Sequence, residues 1–129
     1  MIVADTDVLI DALRGRSPAA ERIGLELETG GLATTAVSAF ELRSGAKSAQ
    51  AAGAIETLLA AMTILPFDER AADRAAQARR ELDSAGTPIG MADYIIAGTC
   101  LAHSAILLTR NRRHFERVPG LTLSGQPEE

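Results

Sequence analysis

Short runs able to form strands alternate with longer segments of helical period, and this alternation limits the folds open to the chain more than any other feature. Residues 1–4 form an apolar run that Asp5 ends, too short for a helix, and residues 32–35, 63–67 and 105–109 are further short runs of strand character. Runs without strict polar alternation predict strands covered on both faces. Between them, Val8, Leu9, Ala12 and Leu13 recur at helical spacing as far as Gly15. Ser17-Pro18 then offers an N-cap with proline at the first position of a second helix, which Gly30-Gly31 stops. Val37, Phe40 and Leu42 begin a third helix that ends near Gly45, and a fourth covers about residues 48–61. Asp68 caps an alanine-rich helix closed by Gly86. Thr87-Pro88 opens another, whose stripe of Ile89, Ala92, Ile96 and Cys100 ends near His103. Strands alternating with helices predict the α/β class with a parallel sheet.

Composition narrows the class further. A chain of 129 residues that is 47% apolar and 23% charged predicts one domain over residues 1–129, with a frayed tail at 125–129. No run approaches the roughly 18 apolar residues of a membrane span. With Cys100 the one cysteine and no signal-peptide pattern at the N-terminus, the expected compartment is the cytoplasm. The net charge of -4 argues against binding nucleic acid through bulk charge. Local density argues the other way, because Arg110, Arg112, Arg113 and Arg117 fall within eight positions and could meet several phosphates. A solvated arginine face is the competing reading.

In an open parallel sheet, ligands bind beyond the carboxyl ends of the strands, which singles out Asp5 and Asn111. Asp5 is also a natural helix N-cap, and Asp7 fits the first turn of the same helix. Asp93 shares the apolar stripe of Ile89, Ile96 and Cys100, where an unpaired carboxylate is costly and is normally paired or bound to a metal. Complementing the helix dipole is its alternative role. Glu41 follows Ser38 by three residues, as in a capping box, although Thr34-Thr35 could cap that helix instead. Oxygen donors without clustered Cys or His suit Mg²⁺ or Mn²⁺ rather than zinc. His103 and His114, eleven residues apart, lack zinc-site spacing and read as a helix-end residue and as a surface residue or phosphate contact.

Four segments in order carry a family resemblance: V-A-D-T-D-V-L at 3–9, V-S-A-F-E-L-R-S-G at 37–45, T-P-I-G-M-A-D-Y-I-I-A-G at 87–98 and L-T-R-N-R-R-H-F-E-R-V-P-G-L at 108–121. Together they resemble the PIN domain of VapC-type toxin ribonucleases from toxin-antitoxin modules. The resemblance implies a PIN-like α/β/α sandwich with a central parallel sheet of four to five short strands. It implies acidic catalytic positions at Asp5, Glu41 and Asp93, with Asn111 at the fourth position, where many relatives have Asp. Asp5 and Asp93 would bind Mg²⁺ or Mn²⁺, with Glu41 and Asp7 as further candidates. The implied activity is endoribonuclease hydrolysis by metal-activated water, in a homodimer held in check by a VapB-like antitoxin.

Arg110, Arg112 and Arg113 would then position the RNA backbone, with Arg14, Arg16, Arg43 and Lys47 as lesser candidates. Phe40, Phe67, Tyr94 and Phe115 are expected in the core, which leaves few platforms for base stacking. Ile55, Leu58 and Leu59 offer an apolar stripe for self-association. Three rivals stand beside this reading. One is a catalytically weak PIN-like binding domain. Another is a haloacid-dehalogenase-type phosphatase built on Asp5-Thr6-Asp7-Val8, and the third is a receiver module with Asp68. The last two need a later lysine, and the only lysine is Lys47.

Overall fold

The computed structural model describes residues 1–125, so most of the expected frayed tail lies outside the described residues. The chain runs β1 (Ile2–Ala4), α1 (Thr6–Leu13), α2 (Ala19–Thr29), β2 (Leu32–Thr35), α3 (Ala36–Ser44), α4 (Ala49–Ala60) and β3 (Thr63–Leu65). It continues through α5 (Glu69–Ala85), α6 (Met91–Ala102), β4 (Ile106–Leu108), α7 (Arg112–Phe115) and β5 (Thr122–Leu123). The strands form one five-stranded sheet in the order β3-β2-β1-β4-β5, every neighbouring pair parallel. After β1 the chain builds outward through β2 and β3, then returns to the other side of β1 with β4. The connections therefore diverge between β1 and β4, which opens a crevice at the carboxyl ends of these two strands.

Strand side chains alternate between two core clusters. Val3 and Leu107 join Ala78, Leu82, Ile96, Ala97 and Phe115 on the face covered by α5, α6 and α7. Their neighbours Ala4 and Leu108 join Leu9, Ile23, Leu42 and Leu59 on the face covered by α1 to α4. The result is the expected α/β/α sandwich. Ile55 and Leu59, expected to form an outer stripe, are buried in this second cluster with Leu58 packed against it, so they are not the self-association surface. Helix α5 packs more extensively on α6 than any other two helices do among the described residues. A Cβ on Gly98 would lie 2.6 Å from the Ala71 carbonyl oxygen and 2.6 Å from Ala75 Cβ, so only glycine permits this approach.

Several boundaries differ from expectation for local reasons. The helix expected from Thr87-Pro88 begins at Met91, because residues 87–90 are tied down otherwise. The Ile89 N–H donates to the Tyr94 hydroxyl at 3.1 Å, and the Pro88 carbonyl accepts from Arg117 at 3.0 Å. Strand β3 stops at Leu65 before Pro66, whose ring nitrogen has no proton for a ladder bond. Ser17 does not cap α2, since its hydroxyl donates to the Glu21 carboxylate at 2.7 Å. The single turn α7 and the two-residue β5 were not resolved by sequence periodicity. They are held by Phe115, which is fully buried, and by the Ser124 N–H donating to the Leu107 carbonyl at 2.8 Å.

Candidate active site

Asp5 leaves β1 directly into the crevice. Its backbone N–H donates to the Leu108 carbonyl at 2.9 Å, which anchors it beside β4. Asp5 caps α1, with Oδ1 accepting the Thr6 N–H at 2.8 Å, while Oδ2 accepts the Thr109 hydroxyl at 2.7 Å. The capping and functional readings of Asp5 are thus compatible, because each uses a different oxygen. Only 7% of the residue is exposed. Burial, then the negative charge of Asp7 and more weakly that of Asp93, pushes its carboxyl from 3.8 up to about 6, against the hydrogen bonds from Thr109 and Thr6.

Asp7, in the first turn of α1, points at the end of β4. Its Oδ2 accepts the Arg110 N–H at 3.0 Å and lies 3.5 Å from the Thr109 hydroxyl. Its Oδ1 is buried and has no hydrogen-bond partner among the described residues. Burial raises the Asp7 carboxyl above the ordinary range, opposed by the Arg110 N–H, the Arg110 charge and the Val8 N–H. One turn along α1, Asp11 takes the Arg110 guanidinium at 2.7 Å. The guanidinium is thus bonded to Asp11, from where its charge still acts on Asp7.

Glu41 does not reach back to cap α3. Thr35 performs that task, its hydroxyl accepting the Ser38 N–H at 3.1 Å. The Glu41 carboxylate instead accepts the Thr6 hydroxyl at 2.5 Å, and Ser38 Oγ lies 2.8 Å from the same hydroxyl. Asp93 sits in the first turn of α6 and has the partner that the sequence did not reveal, with Oδ2 3.1 Å from His114 Nδ1. Asn111, at the N-cap of α7, is 3.1 Å through its amide from the same His114 nitrogen, and its N–H donates to Thr109 Oγ1 at 2.9 Å.

Thr109 is the residue that sequence reasoning missed. It joins Asp5, Asp7 and the Asn111 backbone, and its position directly after β4 was the available signal. Asp11, four residues after Asp7, was also overlooked.

Among the described residues, no three Asp, Glu, His or Cys side chains stand close enough together to form a ready-made metal cage. The donors are nevertheless oxygens carrying unneutralised negative charge, and one of them is orphaned. That suits a hydrated divalent cation held through one or two carboxylates and several waters better than a closed protein cage.

The arginines divide into engaged and free. Arg110 holds Asp11, Arg112 donates to the Ser124 carbonyl at 2.7 Å, and Arg43 grips Glu56 through bonds of 2.8 and 3.0 Å. Arg113 is exposed and has no ion pair among the described residues. The aromatic residues correct one expectation. Tyr94 and Phe115 are core, but Phe40 is 68% exposed and Phe67 40%. Helix α3 already sends Val37 to one core cluster and Ala39 and Leu42 to the other, which leaves Phe40 on its remaining side.

Comparison with known families matches residues 2–121 to the PIN domain. The chain belongs to the PIN-domain family. This PIN domain is 34% identical over 121 residues to the tRNA(fMet)-specific endonuclease VapC of Shigella flexneri, covering 91% of each chain. It is 36% identical over 115 residues to ribonuclease VapC10 of Mycobacterium tuberculosis, covering 89% of this chain and 86% of the other. Among solved structures, VapBC2 from Rickettsia felis bound to a promoter DNA fragment superposes with a TM-score of 0.86 at 26% identity, over 96% of this PIN domain and 98% of that chain. DNA-bound VapBC from Salmonella typhimurium gives 0.86 at 29% identity, over 95% and 96%. Membership in the PIN family displaces the phosphatase and receiver readings.

Proposed function

We propose that this PIN domain is the toxin of a toxin-antitoxin pair and that it hydrolyses RNA phosphodiester bonds at the crevice between β1 and β4. The observation that carries the reading is the carboxylate pair at the sheet's switch point, buried Asp5 and half-buried Asp7, with one Asp7 oxygen orphaned and the nearest guanidinium, that of Arg110, bonded to Asp11. Such charge opposes folding until a cation arrives. The proposed cofactor is Mg²⁺, with Mn²⁺ as substitute, held by Asp5, Asp7 and Asp93 with Glu41 beside them. When bound, it lowers the pKa of a coordinated water and neutralises charge on the scissile phosphate.

The chain's own residues prepare that chemistry by fixing the carboxylates. Thr6 and Thr109 orient Asp5, the Thr6 hydroxyl orients Glu41, and the Arg110 N–H orients Asp7. Arg113, with Arg14 and Arg16, supplies charge for RNA phosphates without reading bases. An RNA substrate supports a cytoplasmic location. No helix among the described residues is long and apolar enough to cross a membrane.

Two partners complete the proposal. The VapBC complexes among the structural neighbours support a VapB-like antitoxin. A groove of about 270 Å³ lined by Ile10, Leu13, Leu42 and Ile55, with Arg14 and Glu41 also on its wall, offers an apolar seat for an antitoxin segment beside the acidic site. A second copy of the chain would close over Phe40, Ile64 and Phe67, exposed on α3 and along the β3 edge.

The deciding experiment incubates purified protein with RNA, in Mg²⁺ or in EDTA, and maps the new ends. Initiator tRNA is the first substrate to use, because two similar proteins carry the name tRNA(fMet)-specific endonuclease. Cleavage that needs the cation and leaves 5′-phosphate and 3′-hydroxyl ends is expected. Cyclic phosphate ends, or activity undiminished in EDTA, would overturn the mechanism. A folded protein that binds antitoxin and cleaves nothing would be the weak binding domain instead.

A further inference from the structure

We infer that His114 is a positioning residue that aims Asp93, and that Asn111 at the fourth acidic position serves His114 rather than the cation. The inference rests on the cation reading above and deepens it. His114 Nδ1 lies 3.1 Å from Asp93 Oδ2 and 3.1 Å from the Asn111 side-chain amide. A carboxylate only accepts, so Nδ1 must carry a proton to bond Asp93. An Nδ1 that donates cannot also accept from an amide N–H. Asn111 therefore presents its Oδ1 to the imidazole, since amide oxygen and nitrogen are told apart by their hydrogen-bond partners. One N–H is shared between the Asp93 carboxylate and the Asn111 carbonyl.

This arrangement has two consequences. The N–H occupies Oδ2 of Asp93, and among the described residues no hydrogen bond engages its Oδ1, so the carboxylate has one free oxygen in a fixed direction. The tautomer is also set, with Nδ1 protonated. An Asp at position 111 would place a second carboxylate against the same N–H and add charge to a site that already carries too much. Asn makes the same contact without that charge. Partners that orient a ligand in this way contribute roughly 10- to 100-fold to metal affinity or activity.

The test uses Asn and Gln as isosteres of the two ring nitrogens. In His114→Asn the amide nitrogen takes the place of Nδ1, and in His114→Gln it takes the place of Nε2. Mn²⁺ binding to the purified RNA-free chain, read by electron paramagnetic resonance, should weaken about tenfold or more in His114→Ala and His114→Gln, with most of the loss recovered in His114→Asn. Imidazole nitrogen shifts of the metal-free chain, in which His103 is the only other histidine, should show the Nδ1–H form at His114. That preference should be lost in Asp93→Ala. His114 is partly exposed, so thermal melts should show all three variants folded.

Wild-type Mn²⁺ affinity in His114→Ala overturns the inference, as does rescue by Gln in place of Asn, which would give the working atom as Nε2. These outcomes are separable from the nuclease proposal. Failure of wild-type protein to cleave any RNA while the Mn²⁺ series behaves as expected removes the function and leaves His114 in its role. Cleaving protein with an unaltered Mn²⁺ series does the reverse.

Discussion

Replacing Asp5 by Asn should stabilise the metal-free protein, and the gain should depend on pH. In the folded chain Asp5 keeps its proton up to about pH 6, whereas the unfolded chain releases it near 3.8. Between those values the folded state binds more protons, so stability falls as pH rises, and above pH 6 the whole cost persists. Two pKa units correspond to about 3 kcal/mol. Asparagine removes that cost with little loss of contact. Its Oδ1 still accepts the Thr6 N–H, and the Thr109 hydroxyl can accept from the new amide while turning its own proton toward Asp7 Oδ2, 3.5 Å away. Urea unfolding in EDTA should therefore show Asp5→Asn more stable at pH 7.5 by up to about 3 kcal/mol, with the gain nearly gone by pH 4. Saturating Mg²⁺ should close most of that gap. Wild type gains about 2.7 kcal/mol at a hundredfold excess over Kd, and the variant loses most of that gain. A variant less stable than wild type at pH 7.5 in EDTA, or equally stabilised at pH 4 and 7.5, would refute the argument that burial and carboxylate repulsion set the state of Asp5.

Other substitutions separate structure from function. Gly98→Ala forces a Cβ against the Ala71 carbonyl and Ala75, and should cost about 1–3 kcal/mol in thermal unfolding without changing cleavage per folded molecule. Arg113→Ala should weaken RNA binding and reduce the salt slope by about one, read by filter binding across a salt series. Arg112→Ala should chiefly lower the melting temperature, because its guanidinium holds the Ser124 carbonyl. Arg110→Ala leaves the buried Asp11 carboxylate unpaired and should cost about 1–3 kcal/mol, measured by urea unfolding. Glu41→Gln keeps an acceptor for the Thr6 hydroxyl, so it should leave the melt in EDTA almost unchanged while abolishing cleavage.

The elements with enough length to show a period were legible, and so were the acids whose oddity is local. Asp5 stands out because an apolar run stops at it, and Asp93 because it interrupts an apolar stripe. The role of Glu41 was open until Thr35 was seen to cap α3, which frees the carboxylate for Thr6. Asp93's partner was hidden for a different reason. His114 is 21 residues away on α7, a single turn with no period to detect, and only the docking of buried Phe115 brings that turn against α6. Phe40 shows the opposite failure. An apolar residue on a nine-residue helix reads as core, yet α3 meets a core cluster on each of two sides, and no count of apolar residues tells which side is spare.

What holds the site explains why it can wait for a ligand. Each carboxylate is oriented by a group from another element: Asp5 by the Thr109 hydroxyl, Asp7 by the Arg110 N–H, Glu41 by the Thr6 hydroxyl and Asp93 by the His114 imidazole. None of these donors is a lysine or guanidinium side chain, and the Arg110 guanidinium is bonded to Asp11. Had salt bridges oriented the acids, an arriving cation would need to break them, and part of its attraction would be lost in doing so. Hydroxyl and backbone donors fix direction while leaving most of the negative charge in place. The cost appears as the raised carboxyl of Asp5, and on the proposed cation reading the same repulsion that opposes folding without metal would become binding energy once a divalent ion is present.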